Sequence, residues 1–181
     1  MKKYIFLGLA FILISCRHND QVVLETNFGD IVIEVNYDVA PNHSENFVKL
    51  VKSGFYDGTT FHRLVPGGLI QGGDPLSKDD DPDNDGLGGP GYTIDHEFGL
   101  KNVRGAVGAG RVKTFDKTEK KSNGSQFYIC LQELRMMDGA YTIFGTVIKN
   151  LEVADKISWE PVDFNNKPKN PIIIKHAYVV E

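Results

Sequence analysis

The sequence predicts a mostly β domain, a barrel or sandwich of short strands accompanied by two helices, and three observations carry that expectation. Short apolar, β-branched segments recur along the chain and are separated by turn residues. Only two segments show helical spacing of apolar residues. The chain has 181 residues of which 41% are hydrophobic, enough for one well-filled core and one domain.

In chain order, Lys2 and Lys3 precede an apolar run at 4–14 that is too short to span a bilayer, which is how a secretory signal over 1–15 reads. Leu13-Ile14-Ser15-Cys16 resembles the lipobox of bacterial lipoproteins, where the new N-terminal cysteine is acylated. That resemblance implies a lipid anchor on Cys16, with residues 16–21 as the anchor and a short polar tether. Residues 22–26 and 31–35 flank Asn27-Phe28-Gly29-Asp30 and read as a hairpin. Pro41 then opens a helix with Phe47, Leu50 and Val51 on one face and Gly54 as its stop.

Two strand-sized segments surround Gly67-Gly68 within 56–70, and 76–91 is a long acidic, glycine-rich loop. Segments 92–94, 106–108, 126–131 and 142–148 are further short strands. Asn150 is placed to cap a second helix that runs to Ser158 with Leu151, Ala154 and Ile157 inward. Segment 171–180 is a final strand. There is no internal repeat, and no domain boundary follows residue 21.

A formal charge of -4 and a pI near 5.7, without a basic patch, argue against a nucleic-acid partner. The two cysteines, Cys16 and Cys130, give no disulfide once Cys16 is acylated. Cys130 ends an apolar run and reads as a small buried hydrophobe without a neighbouring base.

The informative stretch is 61–75, which places Arg63 between apolar neighbours and then runs into paired glycines. A guanidinium keeps its charge inside a protein and offers five donors in a rigid fork, so on an apolar segment it requires an acceptor or a substrate. Gln71 is suited to that network. The glycines at 67, 68, 72 and 73 permit close approach of another chain. A peptide lying over this stretch is the expectation.

Several separate motifs, in order, then resemble the cyclophilin family of peptidyl-prolyl cis-trans isomerases from residue 22 to the end. They are Ala40-Pro41 through Glu45-Asn46-Phe47, Tyr56-Asp57-Gly58-Thr59-Thr60-Phe61-His62-Arg63, Gln71-Gly72-Gly73-Asp74, Gly89-Pro90-Gly91-Tyr92, Asn123-Gly124-Ser125-Gln126-Phe127, and Asp138-Gly139 with Phe144-Gly145. The resemblance implies a closed eight-stranded antiparallel barrel capped by two helices over 22–181. It implies a monomeric isomerase without a cofactor, acting on proline-containing polypeptides. Residue by residue, it implies catalytic Arg63 supported by Gln71, and a proline pocket walled by Leu69, Tyr128 and Met137. Gln126, Gly110 and Arg111 match peptide contacts, and Tyr141 stands where many members have histidine.

Two departures stand out. Gly68 replaces a phenylalanine of the proline pocket and leaves that pocket wider, and Met136 replaces the tryptophan of cyclosporin-sensitive members, which implies weak cyclosporin binding. Combined with the anchor, the resemblance implies a lipid-anchored isomerase on the extracytoplasmic, periplasm-facing side of a bacterial membrane, assisting the folding of exported chains. The rival reading, motivated by Gly68, is a non-catalytic chaperone module that holds proline-bearing segments.

The chemistry explains why such residues suffice. Amide resonance sets a barrier of roughly 18–20 kcal/mol to X-Pro rotation, giving times of tens to hundreds of seconds. In the twisted transition state the proline nitrogen becomes pyramidal and gains a lone pair, so a cation hydrogen-bonded to it favours the twisted form over both planar ones. Acceleration from about 10⁻² to about 10³ per second requires roughly 7 kcal/mol. A charge-assisted hydrogen bond supplies about 1.5–3 of that. An apolar grip on the proline ring and removal of water supply the rest.

Other motifs carry less. Gly86, Gly88 and Gly91 form a G-x-G-x-x-G string, but it follows an acidic run rather than a strand. Ser125 lacks a nucleophile elbow, and the five histidines lack metal-type spacing. Asp81, Asp83 and Asp85, with Gly86 sixth, copy the first half of a calcium loop, yet Tyr92 holds the twelfth position where glutamate is needed. They form a weak calcium candidate within an acidic insertion.

Overall fold

The computed structural model describes residues 19–111 and 120–180. The expected signal at 1–15 and the expected anchor at Cys16 lie outside the described residues. Eight strands are β1 (Gln21–Thr26), β2 (Gly29–Val35), β3 (Arg63–Val65), β4 (Leu69–Gly72), β5 (Ala106–Arg111), β6 (Ser122–Cys130), β7 (Ile143–Lys149) and β8 (Ile174–Val179). They form one sheet in the order β3-β4-β6-β5-β7-β2-β1-β8, with every neighbouring pair antiparallel. Helices α1 (Pro41–Lys52) and α2 (Leu151–Ser158) pack against it.

The expected strand number and direction hold, but the expected closure does not. The sheet is open and curled, with β3 and β8 at its edges. Between them a single bridge, Thr60 to Ile173, and scattered bonds such as Phe61 N–H to the Ile172 carbonyl (2.9 Å) stand in for a ladder. The segment facing β3 contains Pro168 and Pro171, which lack the N–H that a ladder requires.

The first hairpin is tighter than its sequence suggests. Thr26 pairs with Gly29, which leaves Asn27-Phe28 as a two-residue loop, and the Thr26 hydroxyl accepts from Phe28 N–H and donates to the Gly29 carbonyl. Gly29 takes a φ of 125° there, a value that glycine alone adopts readily. Segment 92–94 is not a strand and contributes one bridge, Ile94 to Ser122.

Helix α1 buries His43, Ser44, Phe47, Val48, Leu50 and Val51. Phe47 meets Phe144, Tyr56 and Phe127 with ring centroids 5.1, 5.3 and 5.6 Å away, a spacing at which tilted aromatic pairs attract beyond their area burial. Ala40 gives this helix no side-chain cap. Glu97 does so from a distant loop, its carboxylate accepting from the N–H groups of Asn42 (3.1 Å) and His43 (3.0 Å), where a helix has unsatisfied donors and favours negative charge.

Helix α2 buries Ala154 and Ile157 as expected, with Leu151 half-buried. Asn150 does not cap it in the expected way: its backbone is left-handed at φ 61° and its side chain makes no cap bond. Its amide instead donates to the Asp30 carbonyl at 3.0 Å, so it ties the helix start to the first hairpin. Cys130 is fully buried.

The same Glu97 carboxylate lies 2.5 Å from His43 Nδ1, and His43 Nε2 lies 2.8 Å from the Ser122 hydroxyl. Burial holds His43 below its usual value, outweighing the bond and charge of Glu97. Burial raises Glu97, but the bonds from His43 and the two N–H groups outweigh it, and the carboxyl lies below its usual range. The folded chain therefore resists both protonations while the unfolded chain accepts them, so stability falls as pH drops through about 6.5 and again near and below about 4.3. Melting temperature is expected to decline between pH 7.5 and pH 5, and His43→Gln to flatten that first phase; a pH-independent melting curve for the wild type contradicts this.

Candidate active site

One row across four strands sets the site. Arg63 on β3 pairs with Gln71 on β4, Gln71 with Tyr128 on β6, and Tyr128 with Gly108 on β5. Directly opposed residues share a face, so these side chains project together from the outer face. The next row, Leu64, Ile70, Ile129 and Val107, is fully buried in the main core. Alternation adds Leu69 and Val65 to the outer face beside the row, and Gln126 and Gly110 beyond it. Beneath lies a second small apolar cluster, Leu69, Ala106, Tyr128, Cys130 and Ile143, with Met137 and Tyr141 packed on it.

Arg63, Leu69, Gln71, Gly110, Arg111, Tyr128, Met137 and Tyr141, all singled out from sequence, line one open groove of about 620 Å³. Gln126 sits behind it, 5% exposed, and reaches the groove through Gln71. Arg63 Nη1 donates to Gln71 Oε1 at 3.4 Å, Gln71 Nε2 to Gln126 Oε1 at 3.0 Å, and Gln126 Nε2 to the Gly88 carbonyl at 2.8 Å. Gly68, at the β3–β4 turn, bonds Val65 and Leu131 through its backbone. Met136 is 90% exposed.

Tyr128 is anchored at its far end. Its hydroxyl donates to Asn102 Oδ1 at 2.6 Å, and Asn102 donates through its backbone N–H (2.8 Å) and side-chain amide (3.0 Å) to Asp138. Those two bonds hold the Asp138 carboxyl below its usual range. Burial, aided by nearby negative groups, drives the Tyr128 phenol far above its ordinary value and pushes the Cys130 thiol up to about 12. Neither is a nucleophile or base near neutral pH. The Tyr141 ring stands edge-on to Tyr128 at 5.6 Å, and the Arg111 guanidinium lies 5.7 Å over Tyr141. The arrangement offers a cation, amide dipoles and an apolar floor, which suits a reaction with no covalent step.

The opposite wall is absent from the sequence reading. Pro82, Asp83, Asp85 and Gly86 of the acidic loop, with Asp163, Asn165 and Lys167, complete the groove. Lys167 Nζ joins the two segments through Asp85 (2.5 Å) and the Pro82 carbonyl. The acidic loop is a wall of the groove as well as a solvated insertion, and no local pattern signals a partner 82 positions away. The calcium candidates are not gathered: Asp85 is taken by Lys167, while Asp81 accepts from Asp83 N–H and Asn84. Among the described residues no group of three His, Cys, Asp or Glu side chains is placed to hold a metal.

An eight-stranded curled antiparallel sheet bearing an exposed arginine above an apolar groove defines a class. The chain belongs to the cyclophilin type of peptidyl-prolyl cis-trans isomerases, whose family model matches residues 21–179. It is 35% identical over 181 residues to peptidyl-prolyl cis-trans isomerase A of Dickeya dadantii (strain 3937), covering 95% of this chain and 89% of that protein. It is 36% identical over 163 residues to peptidyl-prolyl cis-trans isomerase-like 2 of Gibberella zeae, covering 87% of this chain but spanning only 26% of that longer protein. Among solved structures, a cyclophilin-type isomerase of Cryptosporidium parvum superposes with a TM-score of 0.80 at 32% identity, covering 91% of this chain and 99% of that one. Its structure in the presence of the dipeptide Ala-Pro gives 0.78 at 34% identity, covering 89% and 99%.

Gly108 tests the geometry of the floor. A Cβ there lies 2.2 Å from Tyr128 Cζ, so the ring lies across β5 only because the glycine is bare. Gly108→Ala is expected to cost about 1–3 kcal/mol of stability by overpacking and to raise KM for proline peptides, measured by denaturant unfolding and by peptide kinetics.

Proposed function

We propose that this isomerase acts on exported polypeptides, gripping the proline ring against Leu69, Tyr128 and Met137 while Arg63 hydrogen-bonds the proline nitrogen as the bond twists. The observation that carries the reading is the exposed Arg63 guanidinium, held by Gln71 in the same row as Tyr128. Its donors outnumber its one side-chain acceptor, so some remain for substrate. Gln71 fixes its direction, which reduces the reorganisation needed when the lone pair appears on nitrogen. Leu69 and Tyr128 line the groove while only 7% and 2% exposed, so they offer the proline ring a packed apolar base that carries little water of its own. The crystal structure of the Cryptosporidium parvum relative with Ala-Pro supports a proline-containing ligand for this groove.

Gly110 and Arg111 are proposed to contact the peptide beside the proline, with Gln126 and Tyr141 shaping the same stretch. The location is proposed from sequence: Lys2, Lys3, the apolar run and Leu13-Ile14-Ser15-Cys16 support a domain anchored by lipid on the periplasm-facing side of a bacterial membrane. Cys16→Ser is expected to move the full-length chain from the membrane fraction to the soluble fraction; retention in the membrane fraction contradicts the anchor.

The decisive assay follows cis-to-trans relaxation of a short proline peptide with residues 17–181 beside Arg63→Ala. The wild type is expected to accelerate relaxation and the variant to lose about thirtyfold in kcat/KM, about 2 kcal/mol of transition-state stabilisation. Peptide binding without acceleration, in both proteins, replaces catalysis by a holding function, the reading that Gly68 and its wider pocket motivate.

A further inference from the structure

We infer that Asp74 is a positioning residue for Arg63, acting through the Gly88 carbonyl and the amide side chains of Gln126 and Gln71. The inference rests on the proposed role of Arg63. Asp74 is fully buried, and its carboxylate accepts from Leu76 N–H (2.8 Å), Gly86 N–H and Gly88 N–H (3.2 Å). Leu87, between the two glycines, is 62% exposed, so apolar burial does not fix this part of the loop and the carboxylate does. Gly88 fits against it only without a side chain, because a Cβ there lies 2.1 Å from Asp74 Oδ1.

The Gly88 carbonyl so placed accepts from Gln126 Nε2 at 2.8 Å and Asn123 Nδ2 at 3.0 Å. A carbonyl only accepts and a guanidinium only donates. Each primary amide between them has two orientations, and only one satisfies both ends. Gly88 requires the Gln126 NH₂, which turns the Gln126 oxygen to Gln71. Gln71 then gives its own NH₂ to Gln126 and its oxygen to Arg63. If the carbonyl is displaced, only the long, solvent-exposed Arg63 contact at 3.4 Å is left to set the polarity of the chain, so Gln126 and with it Gln71 gain access to the flipped orientation, in which an NH₂ group faces the guanidinium. Asp74 thus sets the polarity of the group that orients Arg63.

The test reads the side-chain amide NMR signals of Gln71, assigned by their loss in Gln71→Glu, alongside kcat and KM. Asp74→Asn turns an NH₂ towards the loop N–H groups; it is expected to shift the Gln71 signals and lower kcat about tenfold, a lost oriented charge-assisted bond, with a smaller change in KM. Adding Gln126→Glu to Asp74→Asn is expected to return the Gln71 signals towards their wild-type positions, because a carboxylate only accepts and again draws the Gln71 NH₂. Unmoved Gln71 signals in folded Asp74→Asn, or no return in the double variant, overturn the inference. If Asp74→Asn does not fold, Gln126→Met, which leaves Asp74 intact, must shift the same signals; unchanged signals there overturn it as well. The signals are read without substrate, so a failure of the catalytic reading is distinguishable from a failure of this one.

Discussion

Register between β3, β4, β6 and β5 is the constraint on which the rest depends. The row Arg63, Gln71, Tyr128, Gly108 lies next to the row Leu64, Ile70, Ile129, Val107, and the second row is fully buried. A slip of one residue on any strand sends the working side chain into the core and an aliphatic one into the groove. Each buried aliphatic side chain contributes about 1.5–3 kcal/mol, so the core row enforces the site row. Precision at Arg63 is thus a by-product of packing that also makes the domain stable.

The open edge of the sheet has a use in this arrangement. Because Pro168 and Pro171 deny β3 a continuous partner, the segment beside it leaves the ladder and forms a rim, bonded through the Asn166 carbonyl to Leu64 N–H at 2.8 Å. That rim carries Lys167, which meets Asp85 on the acidic loop. An irregular edge therefore supplies one wall of the groove, and the regular part of the sheet supplies its floor.

Three carboxylates, Asp74 fully buried and Glu97 and Asp138 partly exposed, tie these loops to the regular elements. Glu97 caps α1 and holds His43, Asp138 holds Asn102 and through it Tyr128, and Asp74 holds Gly86 and Gly88. Each gathers two or more donors, which is how a polar group is accommodated under a surface without a large desolvation cost. The family-like motifs contain Asp74 and Asp138 as well as Arg63, while Glu97 lies outside them, so part of what those motifs encode is loop placement.

Much was legible from local pattern. Pro41 and Gly54 bracket α1, helical spacing puts Phe47, Leu50 and Val51 on its buried face, and Gly67-Gly68 divides β3 from β4. These are determined by steric limits of glycine and proline and by side-chain periodicity, which involve neighbours only. Resemblance to a family's motifs, rather than local physics, singled out Leu69, Tyr128 and Met137, which the fold places along one groove with Arg63. What the sequence left open involves partners far along the chain. Asn150 bonds Asp30 across 120 positions rather than capping α2, Glu97 caps α1 across 55, and the acidic loop meets Lys167 to become a wall. Closure of the barrel was decided by which backbone donors face each other at the β3 and β8 edges. Local geometry limits what each segment can be, but only the folded chain brings distant donors and acceptors within 3 Å, and there the choice among permitted conformations is made.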